Sequence, residues 1–182
     1  EKDSDRVLEG AVFALCAKED ITGADGKVIL KADTVIEELA TDKEGKLTFT
    51  ADLPIGFAYY IKETSPASGF ATTDEIQEFT FEYEGAEKEK VSYAFTFEDE
   101  PTVIEITKTS LTDGKELEGA KLQVTDESGK VVDSWTSGKE AHIIKELVVG
   151  QKYTLTETKP ADGYVTAESI TFTVEDTAKP QK

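Results

Sequence analysis

Two glutamates occupy the same place in two similar stretches. "YYIKETSPASGF" spans residues 59–70, and "YTLTETKPADGY" follows at residues 153–164. In each, a strand-like run ends in a glutamate, Glu63 or Glu157, followed by a threonine, a proline turn containing glycine, and an aromatic residue. Such a glutamate is a surface charge, a ligand or a promoter of chemistry. In apolar surroundings a carboxylic acid tends to keep its proton and an amine to lose one. A neutral lysine is then a nucleophile, and a protonated glutamic acid can polarise the carbonyl it attacks. Lys108, in "ITKTS", shares the parity of Ile104 and Ile106 and can take their inward face. Lysine is seldom buried without a partner. Packing amine and carbonyl in one core also makes the attack intramolecular.

The elements that would hold these residues form two copies. "LEGAVFAL" (residues 8–15) recurs as "LEGAKLQV" (117–124), "LPIG" (53–56) as "LVVG" (147–150), and "EIQEFTFEY" (75–83) as "ESITFTVED" (168–176). The same order in both copies implies two tandem domains, 1–101 and 102–182, joined at Pro101. Runs such as "KLTFTADL", "FAYYIKE", "EFTFEY", "VSYAFTF", "IEITKTS", "KYTLTET" and "ITFTVED" alternate with period two, separated by turns such as "ADGK", "DKEG", "EYEG", "TDGK" and "ESGK". The expected class is all-β, two small sandwiches, with "ADTVIEELAT" as a weak helical turn. Gly10 to Glu63 is 53 residues and Gly119 to Glu157 only 38, so residues 21–39 read as an added hairpin or loop. After "ITFTVED" only "TAKPQK" remains, so the second copy is expected to lack its last strand in this chain.

Composition narrows the function. Twenty Lys+Arg against 38 Asp+Glu give a net charge of -18, which argues against nucleic acid and against an anionic membrane face. No apolar run reaches the roughly 18 residues of a membrane span. The single cysteine, Cys16, allows no internal disulfide, and neither Met nor Asn occurs. Cys16 reads as a small apolar residue, His142 as structural and Trp135 as packing. The acidic clusters lack a calcium-loop pattern, and no cofactor motif is present.

"ITKTSLTDGKELEGAKLQV" with "GQKYTLTETKPADGYVTAESITFTV", and the first copy's "LEGAVFALCAKEDITGADGKV" with "LPIGFAYYIKETSPASGF", resemble the Cna B-type (SpaA-type, prealbumin-like) domains of Gram-positive pilins and cell-wall adhesins. The resemblance covers essentially the whole chain. It implies Ig-like/prealbumin-like sandwiches closed by an isopeptide bond between a first-strand lysine and a last-strand Asn or Asp, promoted by a glutamate. It implies Lys108 with promoter Glu157 in the second copy, and promoter Glu63 with acceptor Asp99 in the first. Lys2 is the lysine available to the first copy; its spacing is imperfect, and a residue upstream is the alternative. Without Asn, only Lys–Asp linkage is available. From Phe70 to Asp99 is 29 residues but from Tyr164 to Asp176 only 12, so Asp176 is not Asp99's counterpart. Lys108 is therefore expected to be unlinked, or linked to a strand supplied from elsewhere.

The implied role is a stalk module of an extracellular, cell-wall-anchored surface protein. Its partners would be neighbouring domains or subunits of a surface polymer, and a host matrix ligand is a further candidate. The chemistry would run once per molecule, so no turnover enzyme is expected. Two alternatives stand beside it: a ligand-binding adhesin module and an engineered split-ligation domain. For the first, residues 21–39 are the place to look, although they contain no aromatic.

Overall fold

The computed structural model describes residues 1–2, 4–82, 92–110 and 114–182. Its regular structure is all β among these residues, in two repeated halves. The chain divides into unit 1, Glu1–Ala67 with Thr72–Asp99, and unit 2, Ser68–Ala71 with Glu100–Lys182.

Unit 1 begins with β1 (Val12–Ala17), whose residues are buried from Phe13 onward, as befits a central strand. The short β2 (Ile21–Thr22) and β3 (Val28–Leu30) form a hairpin, followed by β4 (Val35–Ala40), β5 (Ala58–Ser65) and β6 (Ile76–Thr80). The main sheet runs β4-β1-β5-β6, antiparallel throughout. The segment "ADTVIEELAT" is thus a strand, not a helical turn. It pairs along β1 from Val12 opposite Ala40 to Cys16 opposite Val35. Pairing with a buried neighbour outweighs a weak local helical preference, and Val35 and Ile36 are β-branched.

Two runs read as strands, "KLTFTADL" and the described part of "VSYAFTF", form no named strand. They keep the alternation: Leu47, Phe49, Ala51 and Leu53 are half-buried, as are Phe95 and Phe97, with exposed residues between. Alternation needs only one buried face, whereas a ladder needs a neighbour about 4.8 Å away. Phe13–Phe97 and Phe79–Phe95 ring contacts at 4.8 and 5.2 Å show that these side chains still join the core. Residues 83–85 of the turn expected at 82–85, and residues 112–113 of that at 112–115, lie outside the described residues.

Unit 2 contains β7 (Val103–Ile106), β8 (Lys121–Asp126), β9 (Val131–Thr136), β10 (His142–Lys145), β11 (Lys152–Lys159) and β12 (Ile170–Thr173). One sheet runs β12-β11-β8-β9, and the other pairs β10 with β7. Between them lies a core of Ile104, Ile106, Val124, Ile144, Leu147, Tyr153 and Val174, with Trp135, Leu155 and Phe172 packed against it. Gln181 lies parallel to β7: its N–H donates to Val103 O at 2.9 Å, and its carbonyl accepts Glu105 N–H at 2.8 Å.

Candidate functional site

Both glutamates close an inward row on a long strand. In β5 the row is Tyr59, Ile61, Glu63; in β11 it is Tyr153, Leu155, Glu157. Each glutamate is 5% exposed. A β-bulge follows each one. Phe13 faces Glu63 but Val12 faces Ser65, and Leu122 faces Glu157 but Lys121 faces Lys159. Thr64 and Thr158 are the residues left over. Their hydroxyls donate back to the partner strand, to Val12 O at 3.3 Å and Lys121 O at 3.2 Å. Bulges re-aim side chains at such places. The Glu-Thr pair in "KETSP" and "TETKP" was the sequence signal for this device, which period-two reading passes over.

The carboxylates are held alike. Glu63 Oε2 accepts Thr73 N–H at 2.7 Å, and Glu157 Oε2 accepts Ala167 N–H at 2.6 Å, ten residues onward in both cases. In unit 2, Lys108 Nζ stands 3.2 Å from Glu157 Oε1, with the lysine side chain 20% exposed and the glutamate's 2%. Oε1 makes no aligned hydrogen bond, so the contact is an ion pair of oblique geometry. Lys108 is seated through its backbone: its N–H donates to Glu116 Oε2 at 3.1 Å and its carbonyl accepts Leu117 N–H at 2.6 Å. Beside the pair is a cleft of about 210 Å³ where the apolar Leu122, Leu155, Ala167 and Ile170 meet the polar Thr107, Thr109 and Glu168. A proton passed from Nζ to Oε1 would leave a neutral amine facing that cleft. Asp176 is exposed.

In unit 1, Asp99 is 5% exposed, and its Oδ1 has no hydrogen-bond partner among the described residues. Burial pushes its carboxyl above the usual range; the N-terminal ammonium opposes this and Glu75 adds to it. Asp99 O accepts Lys2 N–H at 2.9 Å, while the Lys2 side chain is exposed. The structure therefore brings Lys2 to Asp99 by its backbone.

The remaining singled-out residues have plain surroundings. Cys16 is fully buried in a cluster with Ala14 and Tyr60. The Tyr60 hydroxyl, which donates to Asp33 Oδ1 at 3.1 Å, is held well above its ordinary pKa by burial, then by Cys16 and Asp33. His142 Nε2 lies 2.8 Å from Asp133 Oδ2, and its ring stacks on Trp135 at 4.1 Å.

The curated protein sequences gave no match to this chain. Among solved structures, the TIE protein of Bacillus anthracis is similar at 23% identity and TM-score 0.50, over 98% of this chain and 30% of that one. A C-terminal fragment of the pilus adhesin SpaC from Lactobacillus rhamnosus GG gives 18% identity and TM-score 0.48, over 100% and 81%. A streptococcal ancillary pilin gives 24% identity and TM-score 0.39, over 100% and 59%. At these identities the first likeness speaks to fold alone, and this chain spans less than a third of that protein. The family model for the SpaA prealbumin-like fold domain matches residues 1–94 and again 102–182. In both of its repeats, this chain belongs to the SpaA prealbumin-like fold domain family.

Proposed function

We propose that the chain is a load-bearing stalk module of a Gram-positive cell-surface pilin or adhesin, its repeats closed by lysine–carboxyl isopeptide bonds promoted by Glu63 and Glu157. The observation that carries this reading is the Lys108–Glu157 pair: a 2%-exposed glutamate side chain 3.2 Å from a lysine amine, beside a cleft of mixed polar and apolar lining. The same carboxylate anchoring at Glu63 extends it to the first repeat.

In the reaction, the lysine amine passes a proton to glutamate and attacks the acceptor carboxyl carbon. The new C–N bond replaces a C–O bond, and the oxygen leaves as water with the protons released. Asp99 is the acceptor of the first repeat, and burial keeps the protonated, reactive acid more populated. Its lysine is Lys2 or a residue outside this chain. Lys108 takes a carboxyl, which loses water, or a carboxamide, which loses ammonia, brought by a strand continuing the parallel ladder that Gln181 begins. Each bond forms once, so the glutamates promote a self-cross-link without turnover. A bond from first strand to last would do for a small domain lacking cystine what a disulfide does elsewhere. Neighbouring units of a surface polymer are the partners this role requires.

Intact mass under denaturing conditions tests the reading. A deficit of one water, mapped to a cross-linked peptide containing Asp99 and absent in Glu63→Gln, is the result expected of the first repeat. A full mass, together with no adduct at Lys108 when a strand peptide bearing Asn or Asp is offered, would sink it.

A further inference from the structure

The two proline turns have the same pattern but opposite surroundings. Around "PASGFA" in the first repeat, Ala67, Phe70 and Ala71 are 3%, 1% and 5% exposed. Around "PADGYV" in the second, Ala161 is again buried at 3%, but Tyr164 is 47% and Val165 88% exposed. Residues 161–165 are thus the same turn without a cover.

Unit 2 shows what the cover is made of. Its segment Ser68–Ala71 lies antiparallel to the stretch entering β7, with Phe70 opposite Pro101. Ala71 N–H donates to Glu100 O and Thr102 N–H to Gly69 O, both at 3.0 Å. Thr102 is fully buried, and its hydroxyl donates to Leu147 O at 2.7 Å. On the other side Glu146 presses against Gly69: a Cβ there would meet Glu146 O at 2.8 Å and Glu146 Cβ at 2.9 Å. Glu146 holds a left-handed φ of 63°, a strained choice for a residue with a side chain. Its repeat counterpart, Asp52, shows no positive φ. Of these two counterparts, only the one at the gripped turn is strained. At Gly163 a Cβ would meet nothing within 4 Å, and neither Gly163 O nor Val165 N–H makes a backbone hydrogen bond among the described residues.

We propose that residues 161–165 are a docking edge for a further prealbumin-like unit, which covers them as residues 100–102 and Glu146 cover Ser68–Ala71. The partner is defined by its chemistry. It brings an extended acidic-Pro-Thr segment leading into its first strand, two backbone hydrogen bonds for Gly163 O and Val165 N–H, and a left-handed residue that tolerates no side chain at Gly163. This inference rests on the fold and not on the cross-link, so a chain of full mass would leave it standing.

The test joins a copy of residues 82–182 after Val174. That residue's carbonyl accepts Gly150 N–H, as that of Phe81 accepts Gly56 N–H, so the added unit meets the turn in the register of the first repeat. Hydrogen exchange is read at Val165, with Ala71 as the internal reference. In the 182-residue chain Ala71, bonded to Glu100 O, should be protected and Val165 should exchange freely. In the extended chain Val165 should slow by about tenfold or more, and Gly163→Val should abolish that protection. Free exchange at Val165 while the added unit's strand amides are protected would overturn the proposal, as would protection that survives Gly163→Val. A second variant covers an added unit that fails to fold. In the 182-residue chain, Ser68→Asp, Phe70→Tyr and Ala71→Val write the second turn into the gripped position. Unit 2 should keep its urea midpoint and the residue 71 amide its protection; loss of both would reject the docking edge.

Discussion

At the scale of single residues, the informative group is Asp99. Its carboxyl sits above the ordinary 3.8 mainly because burial disfavours the charge. A raised acid contributes stability that is present at low pH and lost as pH rises through the folded value. In a chain whose mass shows Asp99 unlinked, the urea midpoint of unit 1 should therefore fall as pH rises from the ordinary carboxylate value of 3.8 through the raised folded one. Asp99→Asn, which cannot ionise, should remove that part of the slope; parallel profiles for the two chains would assign it to other groups. The bulge threonines make a second case. Thr158→Val keeps shape but deletes the 3.2 Å bond to Lys121 O, and should cost about 0.5–1.5 kcal/mol, with Thr158→Ser restoring most of it. Urea unfolding followed by Cys16 thiol exposure measures the first and by Trp135 emission the second, and an unchanged Thr158→Val midpoint would make the hydroxyl incidental.

At the scale of elements, the repeat made most of the fold readable. Tyr-x-Ile-x-Glu and Tyr-x-Leu-x-Glu announce two central strands with the glutamate on the inward face, and the structure has them in β5 and β11. Less was legible where pairing decides. "ADTVIEELAT" has no strong local preference, and it becomes β4 because β1 has a free side to fill. "KLTFTADL" has a strand's alternation yet forms no ladder, since pattern fixes a buried face and not a neighbour. The bulges were hidden for a related reason: one extra residue shows only when the partner strand is known. Two predictions belong here. Cys16 is wholly enclosed on β1, so Cys16→Leu should overpack the sheet and cost about 1–3 kcal/mol, read from unit 1 unfolding. The thiol should also resist labelling until unit 1 opens, and fast labelling of the native chain would contradict that enclosure. Gly69→Ala must displace the backbone of Glu146, so it should lower the unit 2 midpoint well beyond Gly163→Ala, which meets only a left-handed φ penalty of about 1 kcal/mol. Equal losses would mean that Glu146 moves aside freely.

At the scale of the whole molecule, a net charge of -18 opposes compaction in general. Raising ionic strength to about 0.15 M shortens the screening length to about 8 Å, so the melting temperature should rise with salt. A flat salt series by calorimetry would show that local pairs such as Lys18–Glu78 and Lys31–Asp20 already balance the field. The two units also carry separate natural reporters. Cys16 lies in unit 1 and Trp135 in unit 2, so thiol exposure and indole emission follow the two halves independently. The parallel contact of Gln181 with β7 has a mechanical meaning. Tension applied at Pro101 and at Lys182 would draw those two segments past each other along their length. The bonds from Gln181 to Val103 and Glu105 lie across that direction, so they are sheared together and not unzipped one after another. The two bonds would then give way together, as a clasp does, where an antiparallel pair peeled from its open end would give way link by link.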